Sequence, residues 1–230
     1  MRILFLPTVQ HTGTWFLIEF LRAHPEVKHF VELQALRKNH SFIEDPVSGQ
    51  KGLVPNQVNL IQGHFQLEFM HLILSFAAAC PTVIPLRDPL ASVLTAVNRK
   101  RTQGNVDYSY IVDRWVLMTT TVWLNRDFYK PLFVPLDLVE RAGVEVKFEL
   151  LGAVLGHMGL GYPKHAVRWA DEWPYHNSRG EYPLKDLYLT RDATAIAHEV
   201  PGEWEALRRA QYILRPMLEQ MGYRDLLWWD

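Results

Sequence analysis

The chain has 230 residues, with 24 Lys+Arg against 25 Asp+Glu, 48% hydrophobic and 12% aromatic residues, and a single cysteine. The length suits one domain spanning residues 1–230, the apolar content excludes general disorder, and a net charge of −1 speaks against non-specific nucleic-acid binding or electrostatic anchoring to a membrane. Cys80, alone and at the end of an apolar run, closes no intrachain disulfide; it reads as a buried thiol in a reducing compartment, not a nucleophile.

The opening predicts a short buried strand over residues 3–6. Its apolar run stops at Pro7, and Gln10-His11-Thr12-Gly13 follows where a signal peptide would need small residues. No later stretch reaches the ~18–20 apolar residues of a membrane span. The chain therefore reads as cytoplasmic and mature from Met1. After a glycine-containing turn, Trp15, Leu17, Ile18, Phe20 and Leu21 mark a helix that ends near His24-Pro25, because proline cannot continue it. Residues 39–56 carry Ser, Asp, Pro and charge without periodicity and read as a surface excursion.

Regularity resumes with a strand over 58–65, Val-Asn-Leu-Ile-Gln-Gly-His-Phe, and a helix over about 68–79. A strand over 82–86 contains Pro85, which donates nothing to a ladder. It runs into Arg87-Asp88-Pro89, with Pro89 suited to the first turn of a helix over 90–98. A long helix carries Tyr110, Ile111, Trp115, Val116, Met118 and Thr119; a strand follows at 132–136, and a last helix over 204–221 stops at Gly222. Strands alternating with helices predict an α/β domain with a mostly parallel central sheet covered on both faces.

Two segments can hold an anion. In Pro7-Thr8-Val9-Gln10-His11-Thr12-Gly13-Thr14-Trp15, the turn amides, the positive end of the next helix and the hydroxyls of Thr12 and Thr14 form a cradle for phosphate or sulfate. It is no Walker A loop, since the Gly-Lys-Ser/Thr triplet is missing. In Arg87-Asp88-Pro89-Leu90-Ala91-Ser92-Val93-Leu94-Thr95, an arginine ends a strand and hydroxyls follow on the next helix, at the carboxyl edge where open α/β sheets take ligands.

Together, with Gly63-His64-Phe65 between them, these segments resemble the sulfotransferases that use 3′-phosphoadenosine 5′-phosphosulfate (PAPS) as donor. Thr12-Gly13-Thr14 matches the family's 5′-phosphosulfate loop, Pro-Lys-Ser/Thr-Gly-Thr-Thr-Trp. Arg87 matches the arginine of its 3′-phosphate segment, and the serine expected eight residues later is Thr95, with Ser92 as the fallback. Phe133-Val134-Pro135-Leu136-Asp137-Leu138 is similar to the strand after the central helices, Ser178-Arg179-Gly180 to the Arg-Lys-Gly element that closes on the 3′-phosphate, and Pro216-Met217 through Gly222-Tyr223 to the final helix. The resemblance spans nearly the whole chain in the right order and implies a P-loop-like sulfotransferase architecture. It also implies PAPS as co-substrate with 3′-phosphoadenosine 5′-phosphate (PAP) as product, a hydroxyl- or amine-bearing small-molecule or carbohydrate acceptor, and no metal. Two departures stand out. His11 occupies the place of the family's Lys or Arg on the leaving phosphate, a task an imidazole performs when protonated or suitably tautomeric. Trp15 lies one place before the adenine-stacking tryptophan, whose position Phe16 holds, and either ring can stack.

For the base that takes the acceptor proton, the resemblance points first to His64, which matches the histidine of the cytosolic branch. Glu32 in His29-Phe30-Val31-Glu32 is the alternative, matching the glutamate of carbohydrate-modifying branches. The remaining histidines lack zinc-ligand spacing. Asn98-Arg99-Lys100-Arg101 reads as a solvated helix end or an anion-docking patch, and Trp228-Trp229 as a terminal cap or a homodimer contact. Two other functions fit the same pattern: a non-catalytic domain binding the nucleotide or a sulfated glycan, and a small-molecule P-loop kinase. The absent Gly-Lys-Ser/Thr counts against the kinase.

Overall fold

The structure is a computed structural model and describes residues 1–9, 12, 14–38, 52–89, 92–93, 110–140, 142–161, 164–171 and 201–223. Strand β1 (Arg2–Thr8) leads into helix α1 (Thr14–Arg22), then strand β2 (Val27–Glu32), helix α2 (Leu33–Lys38) and strand β3 (Val58–His64). Helix α3 (Met70–Ala79), entered through a 3-10 turn at Leu67–Phe69, precedes strand β4 (Val83–Leu86). Helix α4 (Tyr110–Met118) continues into a π-helical turn (Thr119–Trp123), followed by α5 (Arg126–Tyr129), strand β5 (Leu132–Pro135), α6 (Leu136–Glu140), α7 (Val144–His157), α8 (His165–Asp171) and α9 (Pro201–Gln220).

All strand pairs are parallel. β3 lies between β1 and β2, and β4 pairs with β5. The two groups meet along β1 and β4 through one bridge, Phe5 with Thr82. Pro85 and Pro7 together account for that narrow seam, since neither has an N–H for the next rung. The Pro81 carbonyl accepts from Phe5 N–H on β1, and the Thr82 carbonyl accepts from Leu132 N–H on the β5 side. By alternation the missing N–H of Pro85 faces β1, so the ladder stops there.

Alternate residues of each inner strand feed two cores. Phe5 and Ile61 pack with Phe65, Ile73, Trp115 and Leu214, beneath α3, α4 and α9. Leu4, Leu6 and Leu60 pack with Phe16, Leu17, Phe20, Val134 and Leu155, beneath α1 and α7. Leu4, Phe5 and Leu6 are each 0% exposed, as a parallel sheet covered on both faces requires.

The predicted strands and helices all occur where residues are described. The helix expected over 90–98 is described only at Pro89, Ser92 and Val93, where Ser92 N–H donates to the Asp88 carbonyl at 3.0 Å. Six elements were not foreseen: β2, α2, α5, α6, α7 and α8, with α6 beginning at Leu136 inside the segment read as strand-like over 133–138. In β2 the burial alternates imperfectly because its register shifts between Val27 and His29, which hides the two-residue period. The excursion expected over 39–56 is partly structural: at its described end Gly52 and Leu53 are buried, and the Gly52 carbonyl is bonded to His29 Nε2 at 2.7 Å. Cys80 is half-buried, and burial pushes its thiol pKa up, away from the reactive thiolate. Among the described residues no helix is long and apolar enough to cross a membrane.

Candidate functional site

The carboxyl ends of β1 and β3 lie side by side, with Thr8 in register with His64 and Leu6 in register with Gln62. Side chains two apart on a strand share a face, so Thr8, Gln62 and His64 gather at one place on the sheet edge. Thr8 Oγ1 lies 2.8 Å from His64 Nδ1, accepts from Gln62 Nε2 at 3.2 Å and donates to the Gly63 carbonyl at 3.3 Å.

Proton accounting over this cluster decides the histidine tautomer. A hydroxyl has one proton and two lone pairs. The Gly63 carbonyl only accepts, so the Thr8 proton goes there, and the lone pairs of Oγ1 receive Gln62 Nε2–H and His64 Nδ1–H. The arrangement that keeps all three contacts at once carries the proton on Nδ1 and leaves Nε2 with a lone pair, the form a general base needs. Burial, reinforced by the positive charge of Arg114, lowers the His64 pKa to about 4, against a smaller opposing effect from its hydrogen bond with the Thr8 backbone. His64 is therefore neutral across the physiological range.

Two further features position this histidine. A methyl group at Gly63 would lie 2.8 Å from Leu33 Cδ2 and 2.9 Å from Leu33 Cβ, so β3 approaches the start of α2 closely enough to require glycine before His64. The Gln66 amide, two residues beyond, is placed to accept from Arg114 Nη2 at 2.5 Å and to donate to Glu68 Oε1 at 3.3 Å. Glu32 ends β2 in register with Gln62, which sets both side chains on the same face; Glu32 is exposed.

At the turn after β1, Thr12 is 0% exposed and its hydroxyl donates inward to the Val9 carbonyl at 2.7 Å. Its proton shapes the turn. Thr14, half-buried at the first position of α1 with Oγ1 3.5 Å from that of Thr12, is the hydroxyl placed at the helix start. Trp15 is half exposed, whereas Phe16 is 1% exposed and packs edge-on to Trp169 with centroids 5.8 Å apart. Of the two rings considered for adenine, Phe16 is committed to the core. Arg87 follows β4 directly and is 4% exposed, and the Ser92 hydroxyl donates to the Asp88 carbonyl at 3.1 Å. His11, Gly13, Thr95, Arg179 and Gly180 lie outside the described residues, as do the basic run at 98–101 and Trp228-Trp229. Among the described residues no group of three His, Cys, Asp or Glu converges as a metal site would require.

A β1–turn–α1 opening, a histidine at the end of the neighbouring parallel strand and a buried arginine after the next strand lie along one carboxyl edge of the sheet. Solved structures share this architecture. A mouse sulfotransferase, SULT7A1, complexed with PAP aligns over 93% of this chain and 85% of its own, with a TM-score of 0.56 at 11% identity. The chain has the sulfotransferase fold. A retinol dehydratase in a complex with retinol and PAP aligns over 90% of this chain and 82% of its own, with a TM-score of 0.50 at 10% identity. No protein-family model matches the sequence, and no curated protein matches it.

The sequence reading singled out His64 and Arg87 as candidates; Thr8, Gln62, Gln66 and Arg114, which the structure places around the end of β3, were not among them. Gln62 carried a usable signal, as a polar side chain on the same strand face as His64 at an otherwise apolar strand end. Arg114 carried another: it interrupts the apolar helical stripe of Ile111, Trp115 and Met118.

Proposed function

We propose that the chain is a cytoplasmic sulfotransferase, moving a sulfuryl group from PAPS to a hydroxyl or amine of a small-molecule or carbohydrate acceptor and releasing PAP. The observation that carries this reading is His64: neutral, held through Nδ1 by Thr8 and Gln62, at the carboxyl edge of a sheet with the sulfotransferase fold.

In the reaction, an acceptor oxygen bonds to sulfur while the bond from sulfur to the bridging phosphate oxygen breaks, and the phosphate departs with the electron pair. His64 Nε2 takes the acceptor proton. Because Nδ1 already carries one, the product is an imidazolium whose Nδ1–H stays on Thr8. The donor's charge falls to Thr14, the amino end of α1 and Arg87, joined by His11, Gly13, Thr95 and the Arg179-Gly180 element. Trp15 supplies the exposed ring for adenine, and Thr12 supports the turn from beneath. Glu32, on the same sheet face, is the alternative base for a carbohydrate acceptor. Fixed donors and positioning supply most of the acceleration, as in phosphoryl transfer, while a positioned base adds about 10²–10⁴-fold.

Thermal-shift measurements with PAP and with ATP–Mg²⁺ test the donor. A rise in Tm with PAP supports the reading; a rise with ATP–Mg²⁺ alone overturns it in favour of a kinase. Radiolabelled PAPS with a panel of hydroxyl acceptors then tests transfer. PAP binding with no labelled product from any acceptor would mark a binding domain instead.

A further inference from the structure

Arg114 is a charge out of place. It is 7% exposed on the face of α4 that carries Ile111, Trp115 and Met118 into the core. Its guanidinium lies over the Tyr110 ring, 4.1 Å from the centroid, and Nη2 is met by the Gln66 amide oxygen. Both partners are neutral. Among the described residues no carboxylate forms an ion pair with it, and Nη1 is fully buried with no hydrogen-bond partner. Glu68 is placed to accept from the Gln66 amide, and Asp113 on the same helix is exposed.

Burying an uncompensated guanidinium is costly enough that its pKa falls below the usual arginine value. A core position served only by packing would be better filled by methionine or leucine. A buried arginine with a vacant donor is instead suited to a ligand that brings both the charge and the oxygens. Its location says which ligand. Gln66 stands two residues after His64, so Arg114 borders the end of β3, and its charge is felt at the His64 ring. The proposed donor contacts, Thr14 after β1 and Arg87 after β4, follow other strands than β3, whose end Arg114 borders.

Building on the proposed transfer reaction, we infer that Arg114 receives an anionic group carried by the acceptor, a carboxylate or sulfate (or phosphate) ester, so that the natural acceptor is an anionic hydroxyl compound. The guanidinium fork pairs with two oxygens of that anion, Gln66 and Tyr110 hold the fork in place, and the acceptor hydroxyl is thereby presented to His64 Nε2.

The test compares matched acceptors, 4-hydroxyphenylacetate and 4-hydroxyphenyl sulfate against neutral 4-methylphenol, by calorimetric binding in the presence of PAP and by transfer from labelled PAPS. The wild-type protein is expected to bind at least one anionic compound about 10-fold or more tightly than the neutral one. In Arg114→Gln that ratio collapses toward unity, Arg114→Lys keeps part of it, and Arg209→Gln on an exposed face keeps all of it. Which anion wins distinguishes carboxylate from ester. Equal wild-type affinity for neutral and anionic compounds overturns the inference without recourse to any variant, as does a preference that survives intact in Arg114→Gln. The binding arm is independent of turnover. Anion preference lost in Arg114→Gln without any transfer leaves the inference standing while the sulfotransferase reading falls. Transfer without anion preference does the reverse.

Discussion

The protonation of His64 makes a quantitative prediction about stability. Its folded-state pKa of about 4 lies well below the ordinary 6.5. As pH falls through 6.5 the unfolded chain takes up a proton at this side chain, whereas the folded chain refuses it until about pH 4. The neutral, buried histidine therefore costs no stability above pH 6.5, and stability drains away between 6.5 and 4. At full protonation the gap corresponds to about 3 kcal/mol, of which about 2 kcal/mol falls between pH 7 and pH 4.5. Urea unfolding of the wild-type protein and of His64→Gln at those two pH values isolates this contribution, because the other titrating groups are common to both. The wild-type protein should lose about 2 kcal/mol more than the variant on going to pH 4.5. Parallel losses, within about 0.5 kcal/mol, would refute the burial and the Arg114 proximity from which the shift arises. An NMR titration of the His64 ring gives the same answer directly: its midpoint should lie far below the ordinary histidine value of 6.5.

Gly63→Ala should destabilise the protein by about 1–3 kcal/mol, through the overlap with Leu33, and lower turnover by displacing His64, both readable by urea unfolding and product assay. Trp15→Ala should weaken PAP binding in calorimetry with little loss of stability, whereas Phe16→Ala should cost about 3–5 kcal/mol of stability. The reverse pattern would exchange the roles of the two rings. In kcat/KM against pH, an alkaline fall set by loss of charge at His11 should move upward in His11→Lys, and an unmoved limb would remove His11 from donor binding.

The elements legible in the sequence were those with one dominant signal. β1 and β3 announced themselves as apolar runs with polar ends, α1 and α9 as periodic helices with proline or glycine stops, and β4 as a strand despite Pro85, whose missing donor falls at the one seam that can spare it. α7 was missed because its apolar residues do not form a clean stripe: Val144 and Val146 are exposed, while Lys147 is buried. β2 was hidden by its register shift. At the site, His64 and Arg87 were legible because each ends a recognisable strand. Thr8, Gln62 and Arg114 were not, because their roles depend on which strands are neighbours. Thr8 and His64 are far apart in sequence, and only the parallel pairing of β1 with β3 sets the hydroxyl on the ring. The order β2–β3–β1 likewise sets Glu32 beside Gln62.

The electrostatics of the edge have an internal logic that net charge conceals. To bind the proposed donor, with its several negative charges, a chain with a formal charge of −1 must concentrate its positive potential locally. The proposed mechanism asks for two imidazoles in opposite states, His11 charged against the leaving phosphate and His64 neutral toward the acceptor. With ordinary pKa values near 6.5 for both, few molecules at any pH would hold that combination. Lowering His64 to about 4 keeps it neutral over the roughly two pH units below 6.5 in which an imidazole of ordinary pKa is charged. Burial supplies most of that lowering, and Arg114 supplies part of the rest. Under the acceptor assignment above, Arg114 therefore acts twice: its charge adds to burial in lowering the His64 pKa, and pairing with an anionic acceptor relieves that opposition to the proton His64 takes. Base strength would then rise only when the acceptor is in place.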